Sequence, residues 1–358
     1  MDERRVIIVG GLPAPVGGVT SYISRLVHLV PELFSEIIDL YPDDNKHGAP
    51  PGVILTQYPG PFSIEFVIRL FREKGTLHCN FSTLRSVFLF LCIIKPKRSR
   101  WILTLHNGSL GEKGWGTNWK NWGRRKLAEL ALSKFDNIIA ISSTQKSFYE
   151  SLKVDKKKIV ILPTYVPLQS SFNEASPKLV KYQDFVSDHP GYLNILMNGY
   201  GTSIYRFEDL ISFVQSNDGY TLTIALYGHI DGSYIAYLRK LSEGLPIFFV
   251  FSLSQEEFSY ILKDCDIYVR ANSVDSFGIV VADAVVNGKH VIATDVCSRF
   301  PGAYLYRCGD SSALWSLIRR YHNRRDSNYK EAFEFLNIDS DGTFKDGLKK
   351  RYHEVYFS

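Results

Sequence analysis

Short apolar runs alternate with helical patterns along most of this 358-residue chain, and that alternation constrains the fold more than any other feature. Arg5 to Gly10 (RVIIVG) is an apolar run ending in glycine, as a first buried parallel strand would be. The loop GGLPAPVGG follows, and then VTSYISRLVHLV, whose residues Tyr22, Leu26, Leu29 and Val30 recur at helical spacing. Further strand patterns fall at Glu36–Leu40, Val53–Thr56, Thr76–Cys79, Trp101–Leu105, Asn137–Ile141 and Lys158–Leu162, with helical patterns in most of the gaps. This predicts an α/β fold, an open parallel sheet with helices on both faces. In such sheets ligands sit beyond the carboxyl ends of the strands. The glycine loop is not a dinucleotide fingerprint, because Pro13 and Pro15 break the expected spacing.

The pattern starts again at Tyr192. YLNILMNGYG is a strand running into a glycine turn, and SIYRFEDLISFV is an amphipathic helix with Phe207, Leu210, Ile211 and Val214 inward. Strands follow at Tyr220–Gly228, Ile247–Phe251 and Asp266–Arg270, with helices near Ser233–Ser242, Gln255–Asp264, Ala313–Tyr321 and Tyr329–Phe335. ILPTYVP closes the first half, and Pro167–Pro190 is polar and irregular enough to be a linker. The predicted organisation is therefore a first domain over 1–166, a linker over 167–190, a second domain over 191–342 and a final helix over 343–358.

Composition excludes several classes. An apolar content of 45% with 22% charged residues suits a folded chain, not a disordered one. A net charge of +5 is too mild to argue for nucleic acid. The basic residues do cluster, at Lys95, Lys97, Arg98 and Arg100 and at Arg124, Arg125 and Lys126, near Phe88, Phe90, Trp115, Trp119 and Trp122. Either cluster alone reads as a solvated surface; together they point to an anionic membrane face or anionic lipid carrier. Five scattered cysteines suggest neither a zinc site nor a disulfide framework, and they fit a reducing cytosol. The start MDERRVIIVGG leaves no room for a signal peptide, and Val87–Ile94, the most apolar run, is far too short to span a bilayer. The expectation is a cytoplasmic protein, soluble or peripheral on the inner membrane face. Asp43-Asp44 and Asp339-Ser-Asp341 read as loop residues, so no metal site is expected.

The chemistry concentrates in Cys265–Val296, CDIYVRANSVDSFGIVVADAVVNGKHVIATDV, which reads as strand, loop, helix and strand. Asp275 and Ser276 suit a helix N-cap and Gly288 suits the stop. Asp283 lies on the apolar stripe of Ile279 and Val286, where a carboxylate is costly unless it is bonded. The residues alone leave two readings open: a ligand-binding pair of carboxylates, or a plain core segment in which Asp275 is only a cap.

This stretch resembles the donor site of retaining glycosyltransferases of the two-domain GT-B fold, family four in particular. Those enzymes carry an acid, a Phe-Gly pair, a second acid eight positions after the first, and a glycine before a Val-Ile strand. The matching residues are Asp275, Phe277, Gly278, Asp283, Ala284, Gly288, Val291 and Ile292. Both acids are usually Glu in the family and are Asp here. The resemblance implies two Rossmann-like domains facing each other across a cleft, with the C-terminal helix crossing back to the first. It implies no cofactor beyond the nucleotide diphospho-sugar donor, and a saccharide acceptor whose hydroxyl attacks the donor from the front face, with the leaving phosphate taking its proton.

Site residues follow from the same resemblance. Gly17 and Gly18 match a Gly-Gly loop facing the donor phosphates and acceptor. His106, just after a strand in WILTLHNGS, matches a His that contacts the donor sugar. The family's diphosphate cations are an Arg just after the first Gly of the second domain and a Lys at the start of the next helix. Here Tyr200 follows Gly199, Arg206 is the candidate for the second cation, and Arg270 is a candidate to compensate for the first. His106, Asp275 and Arg206 are thus the catalytic candidates. Gly17, Gly18, Gly199, Arg270, Ser276, Phe277, Gly278 and Asp283 are the substrate-binding ones, with Asp275 near the sugar hydroxyls and Asp283 at the ribose. The function implied is sugar transfer to a saccharide acceptor, lipid-linked, in bacterial surface polysaccharide (O-antigen or capsule-like) assembly. The alternatives are an inactive nucleotide-sugar-binding subunit and a nucleotide-sugar epimerase of the same architecture.

Overall fold

A computed structural model describes residues 6–13, 17–43, 48–106, 119–162, 165–167, 176–275, 278–297, 299–323 and 344–357. The chain divides into two compact units, Met1–Val166 with Asn337–Ser358, and Pro167–Leu336.

The first unit holds a seven-stranded sheet of β1 (Val6–Gly10), β2 (Phe34–Asp39), β3 (Ile54–Gln57), β4 (Thr76–Phe81), β5 (Arg100–Leu105), β6 (Asn137–Ala140) and β7 (Ile159–Ile161). Its order is β3-β2-β1-β4-β5-β6-β7. The second holds a six-stranded sheet of β8 (Leu193–Gly201), β9 (Tyr220–Ile230), β10 (Ile247–Phe251), β11 (Ile267–Arg270), β12 (His290–Thr294) and β13 (Tyr304–Tyr306), in the order β10-β9-β8-β11-β12-β13. All pairings among the described residues are parallel. Both sheets thus run third, second, first, fourth, and their strand order reverses beside their first strand. A crevice for a ligand opens at such a reversal, here between β1 and β4 and between β8 and β11.

Burial explains the apolar runs. Ile7 and Val9 pack into one core of the first unit, Val6 and Ile8 into the other, as a strand covered on both faces requires. The turn after β1 is tight, since a Cβ on Gly10 would lie 2.4 Å from Ile23 Cδ1 on the helix Gly18–Leu29. In the second unit β8, β9 and β11 supply Ile195, Met197, Leu222, Ile224, Ile267 and Val269 to a single core.

Two readings need correction, and a third lies beyond what the structure describes. Pro167–Pro190 contains a helix, Pro177–Ser187, started by the Ser176 side chain and burying Leu179 and Tyr182, so its polarity is that of an outer helical face. β13 is a strand without a sequence signal, three residues at a sheet edge and too short to show alternation. The helical pattern at Tyr329–Phe335 lies outside the described residues. The final helix, Phe344–Phe357, belongs to the first unit. Leu348, Tyr352, Val355 and Tyr356, at i, i+4, i+7 and i+8, form its buried stripe against that unit's core.

The basic and aromatic clusters are partly spoken for. Phe90 is core, its ring 5.0 Å from that of Trp101 and 4.8 Å from that of Phe135. Lys95 pairs with Asp136, and Arg100 donates to Asn137 and to the Val355 carbonyl. Arg125 donates to the Ser151 carbonyl. Lys97, Arg98, Arg124 and Lys126 remain exposed; Trp115 and the side chains of Trp119 and Trp122 lie outside the described residues. Among the described residues no helix is long and apolar enough to cross a membrane.

Candidate functional site

At the reversal of the second sheet the segment after β11 is tied to the segment after β8. Ser273 N–H donates to the Ile204 carbonyl at 2.9 Å, and the Ser273 hydroxyl donates to the same oxygen. That tie sets Asp275 beside the end of β11. Arg270, the last residue of the strand, donates to both Asp275 oxygens, Nε to Oδ2 at 2.9 Å and Nη2 to Oδ1 at 3.2 Å. Arg299, just beyond β12, donates from Nη1 to Asp275 Oδ2 at 2.6 Å. Its own place is fixed by bonds from Nε to the Thr294 carbonyl and from Nη2 to the Thr294 hydroxyl.

The three side chains are nearly closed off: 8% exposed for Arg270, 9% for Asp275 and 1% for Arg299. Burial pushes the Asp275 carboxyl up, but Arg270 and then Arg299 outweigh it and hold it well below the usual carboxylate range. Burial likewise disfavours the Arg270 cation, and Asp275 more than restores it. The cluster is therefore two cations and one anion, a net positive charge at the carboxyl end of the sheet. Arg299 was not among the sequence candidates. Its signal in the sequence was only an arginine shortly after the strand that follows the acidic helix.

The helix after this clamp starts later than its sequence suggests. It runs Ile279–Val286, and its N-cap is Gly278 in the left-handed region at φ 72°. Asp275 is therefore not the cap, and Ser276 and Phe277 lie outside the described residues. Gly278 is needed twice over, for its φ and because a Cβ there would sit 2.8 Å from Arg299 Nη1. Asp283 is fully buried within this helix, and its carbonyl accepts from the Asn287 N–H and side-chain amide. The helix ends as expected, with Gly288 at φ 78° and its N–H on the Val285 carbonyl.

Tyrosines close the β8 side. The Tyr205 ring lies against Gly199 so tightly that a Cβ there would be 1.9 Å from its Cδ1. On its other contacts this ring stacks on Phe207 at 9° and carries the Arg270 guanidinium 5.2 Å from its centre. Gly199 thus makes room for Tyr205. Tyr200 packs edge-on against Tyr227. Arg206 is set apart from the clamp: it caps the helix Phe207–Ser216 in a left-handed conformation and forks onto Asp209 at 2.8 and 3.0 Å. Its partner among the described residues is this first-turn aspartate, three residues on.

In the first unit His106 stands at the end of β5. The Asn80 amide nitrogen donates to the His78 carbonyl, which leaves Asn80 Oδ1 facing His106 Nε2 at 3.0 Å. Nε2 therefore carries the proton, and Nδ1 is the acceptor. Burial lowers its pKa to about 3, so the ring is neutral at physiological pH. The Tyr22 ring lies 4.8 Å from it, and the Tyr22 hydroxyl bonds Tyr352 of the final helix. Gly17 caps the helix Gly18–Leu29 with extended backbone, bonded to Thr20, and space around both glycines is open. Among the described residues no three His, Cys, Asp or Glu side chains are grouped to hold a metal ion.

No protein-family model matches the sequence, and no curated protein matches it. Solved structures do match over nearly the whole chain. One is Anabaena Alr3699/HepE in complex with UDP, at 13% identity and TM-score 0.70, covering 98% of this chain and 99% of that one. Sucrose-phosphate synthase from Thermosynechococcus elongatus matches at 16% identity and TM-score 0.71, covering 99% of each. The lipopolysaccharide outer core galactosyltransferase WaaB, in its apo form, matches at 15% and 0.63, covering 98% and 99%. The chain therefore has the GT-B fold that these glycosyltransferases share.

Proposed function

We propose that this chain moves a sugar from a nucleoside-diphosphate sugar to a hydroxyl of a saccharide acceptor, with retention at the anomeric carbon. The observation that carries the reading is the clamp of Arg270, Asp275 and Arg299 at the sheet reversal. It lies in a chain whose fold neighbours include structures bound to UDP and to UDP-glucose. Loss of a diphosphate places growing negative charge where the sugar lets go, and prearranged cations and amides stabilise it most. The clamp has one positive charge more than Asp275 neutralises, and the N–H groups of the helix Ile279–Val286 add their dipole. Asp275 holds the two guanidiniums in place, Asp283 serves the ribose, and His106 offers Nδ1 as acceptor to a sugar hydroxyl. The reaction needs no resident metal or cofactor on this reading.

The acceptor is a lipid-diphosphate-linked saccharide at the cytoplasmic membrane face, in bacterial surface polysaccharide assembly. Exposed Lys97, Arg98 and Arg124 support it, as does likeness to a lipopolysaccharide galactosyltransferase. Thermal-shift screening against uridine, guanosine and cytidine diphospho-sugars tests the donor. One nucleotide at 100 times its dissociation constant adds about 2.7 kcal/mol of stability, and no response from any of them rejects the proposal.

A second reading, an inactive nucleotide-sugar-binding subunit, is favoured by one observation: arginines already occupy both Asp275 oxygens. Release of nucleoside diphosphate at saturating donor across an acceptor panel separates the two, since only the enzyme releases it.

A further inference from the structure

The helix Ile64–Arg72 in the first unit has two apolar faces. Phe66 and Leu70 are buried in the core. Ile64, Ile68 and Phe71, at i, i+4 and i+7, form a second stripe outside and are 73%, 44% and 43% exposed. Phe62, just ahead of the helix, is 56% exposed, and Ile54 on the edge strand β3 is 65% exposed. Leu55 packs with the opposite core, so strand alternation turns Ile54 toward the side of the sheet that this helix covers. Beside the stripe is an open groove of about 440 Å³, lined by Tyr58, Glu65, Ile68, Arg69, Arg72 and Glu73. Exposed apolar side chains gathered in this way mark an interaction surface.

Charge selects the partner. Arg69 is already bridged to Glu36 at 2.7 Å and to Glu73 at 2.8 Å. Glu36, Glu65 and Glu73 balance Arg69, Arg72 and Lys74, so the face has no net charge with which to hold anionic lipid. The exposed charges are self-complementary instead. Glu65 lies three residues before Ile68 and Arg72 four after it. Two such helices, antiparallel about a two-fold axis at Ile68, set each Glu65 beside the other copy's Arg72 and each Phe71 beside the other copy's Ile64. We infer that this face docks a second copy of the chain through a two-fold pairing of the helix Ile64–Arg72.

The helix has nine residues and is about 13 Å long, shorter than a standard interface needs, so the dimer is weak and concentration-dependent. Sedimentation velocity of the full chain between about 1 and 100 µM reads it, and a micromolar dissociation constant is expected. Ile68→Lys weakens association at least tenfold with unchanged circular dichroism. Glu65→Arg also weakens it, and Glu65→Arg with Arg72→Glu restores it. A monomer throughout the range, a dimer that persists in Ile68→Lys, or a charge exchange that fails to restore association overturns the inference. So does a monomer whose binding to phosphatidylserine vesicles is lost in Ile68→Lys.

Discussion

Replacing Arg299 by Met tests the clamp directly. The wild-type guanidinium is 1% exposed and spends three N–H donors, one on Asp275 at 2.6 Å and two on Thr294. Removing one member of a buried ion pair costs about 3–5 kcal/mol, chiefly because the partner charge stays buried without it. Arg270 still bridges both Asp275 oxygens in this variant, so the lower end applies, about 3 kcal/mol. Asp275→Asn leaves two buried guanidiniums around a neutral amide, and the upper end applies, about 5 kcal/mol. The double variant loses less than the sum, with a coupling of about 1–3 kcal/mol, because each single change already spoils the same contact. The sign with pH is fixed. The Asp275 pKa is depressed in the fold, so its contribution is complete above the unfolded value of about 3.9 and shrinks as pH falls below it. Native-state hydrogen exchange of the β11 and β12 amides reads the opening free energy of these strands locally. Unchanged protection in Arg299→Met, or losses that simply add, would refute the reasoning.

Three other outcomes are expected. Burial, reinforced by His106, lowers the His78 pKa from 6.5 to about 3, so the unfolded chain binds the proton first and stability falls as pH drops below 6.5. That is about 2 kcal/mol from His78 between pH 6.5 and 5, with a like amount from His106, readable by urea unfolding followed by tryptophan fluorescence, and His78→Gln reduces the slope by about half. A midpoint constant from pH 7 to 5 contradicts this. Gly199→Ala forces the Tyr205 ring off β8 and costs about 1–3 kcal/mol by overpacking, while in a Tyr205→Ala background the same change is nearly neutral. Equal thermal shifts in the two backgrounds contradict it. Tyr352→Phe removes the hydroxyl that meets Tyr22 inside the first unit and costs about 1 kcal/mol of chemical-denaturation stability, while nucleotide binding in the second unit stays unchanged.

Much of the architecture was legible because buried parallel strands leave dense apolar runs and amphipathic helices leave a 3.6-residue period. RVIIVG, WILTLH and YLNILMNG each became an interior strand of a sheet. What escaped was short or depended on distant partners. β13 gains its strand character only by pairing with β12. Of the site candidates, Arg270, Asp275 and Gly278 come together, but Arg299 is 24 residues from Asp275 and no local pattern links them. Arg206 stands at a helix start, as read from the sequence, and its fork onto Asp209 three residues on left no signal there. His106 could be placed at a strand end from sequence; its proton could not, since that depends on the His78 carbonyl orienting Asn80.

The chain's departures from the family it resembles are physically linked. A cation just after Gly199 would stand at Tyr200, near the end of β8, where an aromatic cluster of Tyr200, Tyr205 and Tyr227 stands instead. Positive charge at this reversal comes from its other side, from Arg270 ending β11 and Arg299 following β12. Both are desolvated, Arg299 almost completely, and a buried guanidinium without a counter-charge costs several kcal/mol. A carboxylate must therefore sit within bonding distance of both. Asp275 does so five residues after Arg270, its position set by the Ser273–Ile204 bond and by the missing Cβ at Gly278, which leaves space for Arg299 Nη1. A glutamate would carry its carboxyl one methylene farther from that fixed backbone, past the point where two short bonds to Oδ2 are now made. Asp275, the tyrosines beside β8 and the glycine cap are then one solution to holding two buried cations together.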